Sequence, residues 1–555
     1  MGTIAVIPIF VNAGAAALPT IMAAVASVVM VAFKPRELAH LLRRRPVALG
    51  VPAGAITVGL GIVLWCLTCG SSPHTAQRGP VGTTPHYDWA KVAQDLIAQQ
   101  RVREESVVGS RTPVVGEQES REGEKVGSKE GQSLPPSSLP TFSPSSNSSP
   151  VHLSPLWSFR PEDTMFLGAP AVAGNRIFTA GCQADLGSYT GLLACLDRET
   201  GKPLWQISEI KGEPLRAFFS SPAVTGDGKY LVIGQGLHED RDCSLLCFEA
   251  LTGQLRWAVK TPLHIESSPA IFGDMAVVGA GAVEGKDGKP VGDPGYCLAV
   301  RISDGKELWR QPVNDPESSP AIDENGIVYI GSGFNGSAVV AIRSESDDQL
   351  RAKNLDRIAW RTAVAQPIPG PITLAGEMVI AGGGNSDLVH SNRNAQGLVV
   401  ALDRKTGAIL WQTQFDDAVL GGIACGDDML ICPVRTGEVA ALALKDGRVL
   451  WRTHISGNAP VLGGCAFVGR ASPHDFSGGE RGRSPYGRVY AVSSDGYLAI
   501  LDSQDGHVLE KTCLNDQAKP GTGLTLSTPR IAGGRVIVGS ETGGLRCFVG
   551  SGGAK

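Results

Sequence analysis

The sequence is poor in aromatic residues and has no surplus of positive charge. Its 555 residues include only 15 Phe, 9 Trp and 8 Tyr, and 50 Lys and Arg face 54 Asp and Glu, which gives a formal net charge of −4. A protein that binds nucleic acid normally carries a basic excess, so we predict no nucleic-acid partner. None of the 12 cysteines is adjacent to another, and they are too dilute for a small scaffold held together by disulfides.

Glycine and proline are abundant instead. The chain contains 70 Gly and 36 Pro, while 42% of its residues are hydrophobic. This combination is typical of many turns between short strands, and it argues against a helical bundle or a wholly disordered chain. At about 150 residues per domain the length suggests three or four domains, unless internal repeats merge them.

Two long apolar stretches near the N-terminus predict a membrane anchor over residues 1–70. Residues 4–33 and 47–69 are each long enough for a transmembrane helix. Five basic residues and one acid lie between them, so the positive-inside rule places this short loop in the cytoplasm. The rest of the chain would then be periplasmic, on the outer side of the inner membrane.

Two other interpretations of the N-terminus stay open. Residues 47–69 resemble the apolar part of a signal peptide, although no A-x-A cleavage site follows them. Cys69, followed by Gly70, also suits a lipoprotein, although the usual small residues before the cysteine are missing.

Residues 71–150 are predicted to be an extracytoplasmic linker. Residues 88–105 place apolar side chains at helical spacing, which predicts one short helix. From residue 109 to 150 the chain is rich in Ser, Glu, Gly and Pro and has few large apolar residues, so we expect disorder there.

A repeat occupies residues 151–555. Seven tryptophans recur at spacings of 48, 52, 52, 51, 51 and 40 residues, and most follow an Asp/Thr-Gly turn. An upstream Ser-Ser-Pro-Ala run also recurs, at residues 220–223, 267–270 and 318–321. Each period holds about four short strands, which is typical of a β-propeller blade.

Counting the starts of the inner strands near residues 168, 221, 268, 319, 370, 421, 459 and 527 predicts eight blades, or seven if a weak unit merges. The last unit contains only three strands, and an isolated strand carrying Trp157 precedes the first unit. We therefore expect this first strand to complete the last blade and close the ring. The seventh unit departs most from the repeat, since it has Leu509 and Glu510 where Trp is expected.

The repeat Ala-x-Asp-x-x-Thr-Gly-x-x-x-Trp at residues 401–411 resembles the tryptophan-docking motif of pyrroloquinoline quinone (PQQ) repeat β-propellers, the quinoprotein alcohol dehydrogenase-like family. The resemblance implies that each Trp packs against a neighbouring blade while Gly permits the turn. It assigns this structural docking role to Trp157, Asp197, Gly201, Trp205, Gly253, Trp257, Gly305, Trp309, Trp360, Asp403, Gly407, Trp411, Gly447 and Trp451.

The resemblance covers enzymes, sensor domains and a non-catalytic scaffold lipoprotein of outer-membrane protein assembly. A PQQ dehydrogenase would require a calcium site of Glu, Asn and Asp, a catalytic Asp, a Trp beneath the quinone and, usually, a vicinal disulfide. The sequence has no Cys-Cys pair, and no Trp of the repeat region lies outside the docking positions. We predict no catalytic residue, no metal and no cofactor, with PQQ and calcium as the alternative.

Loops on one face of the propeller are the candidate binding region. Insertions at residues 236–242, 281–296, 382–396 and 469–487 are predicted to lie on the face of the links between blades. Near the mouth of the channel the candidates for a polar ligand or partner site are Arg216, His264, Glu266, Glu317, Asp416 and Asp417. Ordinary solvated loops would account for the same residues.

The sequence thus predicts a membrane-anchored periplasmic propeller that binds or scaffolds other envelope proteins. A PQQ-dependent oxidoreductase of alcohols or sugars and an extracytoplasmic sensor domain are the alternatives. The sensor lacks a cytoplasmic output module, because the predicted inner loop is short.

Overall fold

The computed structural model describes residues 152–550, except residues 186–187, 239, 283–291, 335, 470–486 and 520. The predicted membrane anchor and linker lie outside these residues. Among the residues that are described, the structure contains no helix with the length and hydrophobicity of a transmembrane span.

The described strands form a ring of antiparallel sheets, called here blades I to VIII in chain order. The chain enters through β1 (Leu153–Phe159), which belongs to blade VIII. Blade I contains β2 (Thr164–Met165), β3 (Ala171–Ala173), β4 (Arg176–Asp185), β5 (Ser188–Asp197) and β6 (Pro203–Ile207). A two-stranded hairpin follows, made of β7 (Glu209–Ile210) and β8 (Glu213–Pro214). Blade II contains β9 (Ala223–Val224), β10 (Tyr230–Gly234), β11 (Arg241–Glu249) and β12 (Leu255–Leu263). Blade III contains β13 (Ala270–Phe272), β14 (Met275–Ala280), β15 (Tyr296–Arg301) and β16 (Glu307–Pro312).

The second half of the ring repeats this order. Blade IV contains β17 (Ala321–Ile322), β18 (Ile327–Ser332), β19 (Ala338–Arg343) and β20 (Ile358–Ala363), with the helix α1 (Asp347–Lys353) between its last two strands. Blade V contains β21 (Thr373–Ala375), β22 (Met378–Gly384), β23 (Gly397–Asp403) and β24 (Ile409–Phe415). Blade VI contains β25 (Ala424–Gly426), β26 (Met429–Pro433), β27 (Glu438–Ala443) and β28 (Val449–His454). Blade VII contains β29 (Ala466–Val468), β30 (Arg488–Val492), β31 (Tyr497–Asp502) and β32 (Val508–Cys513). Blade VIII contains β33 (Arg530–Ala532), β34 (Arg535–Gly539), β35 (Leu545–Gly550) and, as its outer strand, β1.

The prediction of an eight-bladed all-β propeller closed by its first strand is confirmed. β1 pairs antiparallel with β35, from Leu153 opposite Gly550 to Phe159 opposite Leu545, and the inner strand β33 lies against β3. The ring therefore has no free sheet edge between the last blade and the first. The predicted starts of the inner strands lie two or three residues early, except in blade VII, where β29 begins at Ala466 rather than near residue 459.

The hydrophobic core lies between neighbouring blades. In one cluster, for example, Val232 and Leu245 of blade II pack with Val278 and Leu298 of blade III, and all four are fully buried. The middle strands of each blade are apolar on both faces because each blade is covered on both sides. This explains why the repeat contains short continuous apolar runs rather than strict alternation.

The tryptophans of the outer strands connect successive blades. Each indole N–H donates to a backbone oxygen of the next blade, at 2.7–3.2 Å. The pairs are Trp157 with Arg198, Trp205 with Ala250, Trp257 with Ile302, Trp309 with Ser344, Trp360 with Arg404, Trp411 with Leu444, and Trp451 with Ser503. The ring lies against a glycine of the receiving turn in six cases: Trp157 against Gly201, Trp205 against Gly253, Trp257 against Gly305, Trp360 against Gly407, Trp411 against Gly447, and Trp451 against Gly506.

In blades I and V an aspartate organises the turn that receives the tryptophan. Asp197 accepts hydrogen bonds from the backbone N–H and the hydroxyl of Thr200, both at 2.8 Å, and Asp403 does the same for Thr406 at 2.8 and 2.7 Å. These bonds fix the turn so that its backbone oxygen meets the incoming indole.

Two interfaces depart from this pattern. Blade IV carries α1 in place of a glycine turn, and the Arg357 guanidinium lies 5.2 Å from the centre of the Trp309 ring. In blade VII Glu510 pairs with Ile500 at the register position that Trp411 occupies opposite Ala401 in blade V. Blade VIII has no turn between its third and outer strands, because these are β35 and β1. Blade VII therefore lacks the docking Trp at the one interface where the next blade, among the described residues, has no turn to receive it.

The ring has two faces, named here by the connections they carry. The front face carries the links between blades and the connections between second and third strands, and the back face carries the other two kinds of connection. The insertions at 236–242, 281–296 and 382–396 connect second and third strands, as predicted. The same prediction for 469–487 is wrong: it follows β29 and precedes β30, the first two strands of blade VII, so its ends lie on the back face. The helix α1 also lengthens a back-face connection.

The ten cysteines of the described residues are all free thiols. Cys243 and Cys247 lie on one strand, β11, and Cys182 and Cys195 lie opposite Gly191 and Phe178 rather than opposite each other. Burial raises the pKa of the Cys195 and Cys247 thiols to about 12. Such thiols remain protonated and unreactive at neutral pH.

Candidate functional site

The Ser-Ser-Pro-Ala runs tie the inner strands to one another. In the second run the first serine bonds within its own blade: the Ser267 hydroxyl accepts from the Gly279 N–H at 3.0 Å. The second serves the preceding blade: the Ser268 hydroxyl accepts from the Ser221 N–H at 3.0 Å, and Ser319 accepts from the Ser268 N–H at 2.9 Å. The repeated serines are therefore a structural feature of the channel wall.

The residue just before each Ser-Ser-Pro run, and the residue at the equivalent position of each of the other five blades, lie around the front opening of the channel. These eight residues are named here the entry ring. All eight members line one front cavity of about 580 Å³. They are Leu167, Phe219, Glu266, Glu317, Pro369, Leu420, Leu462 and Leu526. Six of eight equivalent positions are apolar, and the two acids stand side by side in the links to blades III and IV.

Two imidazoles accompany the acids, and the four side chains are named here the His-Glu cluster. The Nδ1 atom of His238 lies 2.8 Å from Oε1 of Glu317, and Nε2 of His264 lies 3.4 Å from the same oxygen. The two imidazole rings are 5.3 Å apart between centres. Ligand atoms of His238, His264 and Glu266 all lie within 4.8 Å of one another.

Three chain segments bring the His-Glu cluster together. His238 comes from the front connection between β10 and β11, His264 and Glu266 come from the link between blades II and III, and Glu317 comes from the next link. His264 is fully buried, and the Glu317 side chain is 11% exposed. Because Glu266 and Glu317 belong to the entry ring, the cluster forms one wall of the front cavity.

Burial and mutual charge shift the protonation of the His-Glu cluster. Burial, together with the nearby charge of Glu317, raises the pKa of Glu266 to about 7. Burial alone would raise the pKa of Glu317 and lower that of His238, but their ion pair and hydrogen bond prevail: the pKa of Glu317 falls well below its usual value and that of His238 rises well above. At neutral pH the cluster therefore holds an ionised Glu317 against a protonated His238.

A front loop, residues 385–396, covers part of the same cavity. Leu388 packs near the entry-ring residues Leu420, Leu462 and Leu526, and His390 also lines the cavity. The loop is held from below by Asp417, whose carboxylate accepts from the Ser391 hydroxyl at 2.7 Å. Asp417 lies 3.5 Å from the Arg435 guanidinium, and both side chains are 7% exposed.

The six candidates from the sequence have different positions. Glu266 and Glu317 line the front cavity, and His264 lies directly behind them. Asp417 is buried beneath the front loop. Arg216 and Asp416 are solvent exposed and do not line this cavity; the Asp416 side chain is 88% exposed. The loop residues Asn385 and His390 do line it.

His238 is the residue that sequence analysis did not assign to the site. His238 lies in a predicted insertion, but the sequence of a loop does not show which residues of a later link its side chain will contact. The available signal was topological, because a connection between second and third strands shares the front face with the links on which His264 and Glu317 lie.

The architecture, with tryptophan docking between eight four-stranded blades, defines a PQQ-repeat β-propeller. Residues 154–390 and 356–555 match the family described as "Outer membrane protein assembly factor BamB", and the chain belongs to that family.

Individual relatives are distant. The outer membrane protein assembly factor BamB of Yersinia pestis is 24% identical over 229 residues, 39% of this chain and 52% of that protein. BamB of Burkholderia pseudomallei is 23% identical over 378 residues, 62% of this chain and 87% of that protein. The dehydrogenase subunit of a quinone alcohol dehydrogenase of Gluconobacter oxydans is 25% identical over 292 residues, 46% of this chain and 34% of that protein. The chain thus spans about half the length of the Yersinia relative.

Proposed function

We propose that this chain is a membrane-anchored periplasmic propeller that acts as a scaffold for proteins of outer-membrane assembly, which it binds through its front face. The observation that carries the proposal is the family match, which runs from residue 154 to 555 and so includes all eight blades. The partner is then an envelope protein, in keeping with the family description.

The front face supplies a suitable surface. Its cavity is bordered by apolar entry-ring residues such as Leu167 and Phe219, both of which are partly exposed. The front loop adds exposed polar residues at the rim, including Asn392 and Arg393. An apolar centre with a polar rim is the usual composition of a protein-binding surface.

The anchor is part of the same proposal. Residues 4–33 and 47–69 would hold the propeller at the inner membrane, with residues 71–150 as the tether. These segments lie outside the described residues, so the anchor stays a prediction from the sequence.

Site-specific crosslinking tests the face that binds. A photoreactive amino acid replaces Arg393 in the front loop of the full-length chain, and in a matched variant it replaces Lys405 in the back turn of the same blade. Both positions are exposed. We expect adducts with outer-membrane assembly proteins from position 393 and none from position 405. Equal adducts from both positions, or none from either, would contradict the proposal.

A quinone-dependent oxidoreductase is the second candidate, favoured by the similarity to the Gluconobacter subunit. In the described propeller the seven tryptophans lie on outer strands, and the front cavity has no Trp among its lining residues. A titration with PQQ and calcium, followed by dye-linked oxidation of alcohols and sugars, separates the candidates. Saturable quinone binding with turnover would favour the enzyme over the scaffold.

A further inference from the structure

The His-Glu cluster contains more ionisable groups than an ion pair needs. One imidazole would satisfy Glu317, yet a second imidazole lies 3.4 Å from the same oxygen, and Glu266 stands beside both. Burying carboxylates on a channel wall is costly without a cation to neutralise them. The other six entry-ring positions avoid this cost with apolar side chains.

The neighbouring backbone leaves room for the cluster. A Cβ atom at Gly281 would lie 2.5 Å from Nε2 of His264 and 3.2 Å from Cγ of Glu317. Any larger residue at this position would displace the two groups. In addition, Nδ1 of His264 is buried and has no hydrogen-bond partner among the described residues, so the ring's orientation is not fixed by a bond on that side.

We propose that the His-Glu cluster is a binding site for a divalent transition metal ion of the Zn²⁺ type, with His238, His264, Glu266 and Glu317 as ligands. Two imidazoles and two carboxylates match the nitrogen and oxygen donors of such ions. With bonds of about 2.0–2.1 Å, ligand atoms of a tetrahedral zinc site are about 3.3 Å apart. The 3.4 Å separation of His264 Nε2 and Glu317 Oε1 is close to this value, whereas the 2.8 Å between His238 Nδ1 and the same oxygen must widen when their proton is replaced by the ion.

Binding requires only local rearrangement. The ligand atoms of His238, His264 and Glu266 lie within 4.8 Å of one another, so small side-chain rotations bring them to the spacing of about 3.3 Å that a tetrahedral zinc site needs. The proton between His238 and Glu317 leaves to solvent together with any proton on Glu266, because a ligating imidazole is neutral and a ligating carboxylate is ionised; His264 then carries its proton on Nδ1 and binds through Nε2. Two carboxylates then balance the charge of the ion. His238, Glu266 and Glu317 line the front cavity, which gives the ion its access.

This site is independent of the scaffold proposal, and its test needs no protein partner. The full-length chain, purified in detergent and stripped with EDTA, is titrated with Zn²⁺ by calorimetry, with Ca²⁺ as a second titrant. We expect about one tightly bound Zn²⁺ per chain and no comparable binding of Ca²⁺, which prefers all-oxygen sites. X-ray absorption of the loaded protein should give a nitrogen and oxygen shell with two imidazoles.

Variants identify the ligands. Glu266→Gln and His238→Ala should each weaken Zn²⁺ binding by at least about 100-fold, since loss of an outer-sphere partner alone costs about 10- to 100-fold. His390→Ala is the matched control, because His390 lines the same cavity outside the cluster. Thermal unfolding checks that each variant is folded, and Glu266→Gln preserves side-chain volume. Absence of saturable Zn²⁺ binding by the parent chain would overturn the proposal, as would binding that both cluster variants retain.

Discussion

Replacing Gly407 with alanine separates two roles of a docking glycine. Gly407 has a φ of +73°, and an added Cβ would lie 2.6 Å from the Trp360 ring and 2.7 Å from the Thr362 hydroxyl oxygen. Gly376, in the same blade, has a φ of +57° and nothing within 4 Å of its Cβ position. Gly376→Ala is therefore a control for the left-handed backbone without the docking contact.

The structure sets the size of each effect. A left-handed conformation costs an alanine roughly 1–2 kcal/mol, and this applies to both variants. Gly407→Ala also crowds Trp360, and such overpacking costs about 1–3 kcal/mol. It would further strain the hydrogen bond of 3.0 Å between the Trp360 indole and the Arg404 oxygen. We expect a total loss of about 2–5 kcal/mol for Gly407→Ala and about 1–2 kcal/mol for Gly376→Ala.

Thermal unfolding measures the difference. For a propeller of this size each kcal/mol shifts the midpoint by about 1–2 °C, so Gly407→Ala should melt about 1–6 °C below Gly376→Ala. In a Trp360→Ala background the extra cost of Gly407→Ala over Gly376→Ala should shrink, because the contact with the Trp360 ring is gone and only the Thr362 hydroxyl remains close to the added Cβ. Equal midpoints of the two single variants, with Trp360 present, would refute the docking argument.

Three further predictions concern other parts of the propeller. Burial raises the pKa of Cys195 to about 12, so the folded state keeps this thiol protonated. The stability that the protonated thiol contributes is complete below pH 9 and is lost as the pH rises from about 9 to 12. A thiol reagent at pH 8 should therefore label Cys195 only after the protein unfolds. Rapid labelling of the native protein would contradict this. Asp417→Asn should weaken the attachment of residues 387–391 to the propeller and speed their amide hydrogen exchange, whereas Asp416→Asn, at the exposed neighbour, should not. Equal exchange rates in the two variants would contradict the conclusion that the buried Asp417–Arg435 pair anchors the loop. Glu510→Trp should not raise the thermal midpoint, because blade VIII offers no turn to receive the indole, and a rise of several degrees would mean that the new ring docks elsewhere.

The fold could be predicted because the repeat has a regular length and also places the same residue types at the same positions of most blades. The tryptophan spacing, the Asp/Thr-Gly turn and the Ser-Ser-Pro-Ala run each mark a fixed point of a blade, and the lone strand around Trp157 marks the closure. The insertion at 469–487 was assigned to the wrong face because the seventh unit lacks both the Ser-Ser-Pro run and the Trp. Without those two markers the first strand was placed too early, and the strands on either side of the insertion were miscounted.

The site could be predicted only in part. Glu266 and Glu317 were found because each precedes a Ser-Ser-Pro run, which fixes its place on the entry ring. Asp416 and Asp417 show the limit of such reasoning, since adjacent residues of one link face opposite ways: the first is exposed and the second is buried. The partner His238 could not be placed, because the shape of its loop follows from packing against the next link rather than from its own sequence.

The closure by β1 imposes an order on biogenesis. β1 is among the first parts of the propeller to be synthesised, but its partner strand β35 is the last. While the chain emerges, both the first strand and the growing end of the ring therefore have unpaired edges, which are open to association with other chains. Closing the ring joins the two most distant segments of the domain, so it is expected to be the slow and final step of folding. A chain that terminates before β35 would leave β1 without its strand partner and the ring unsealed.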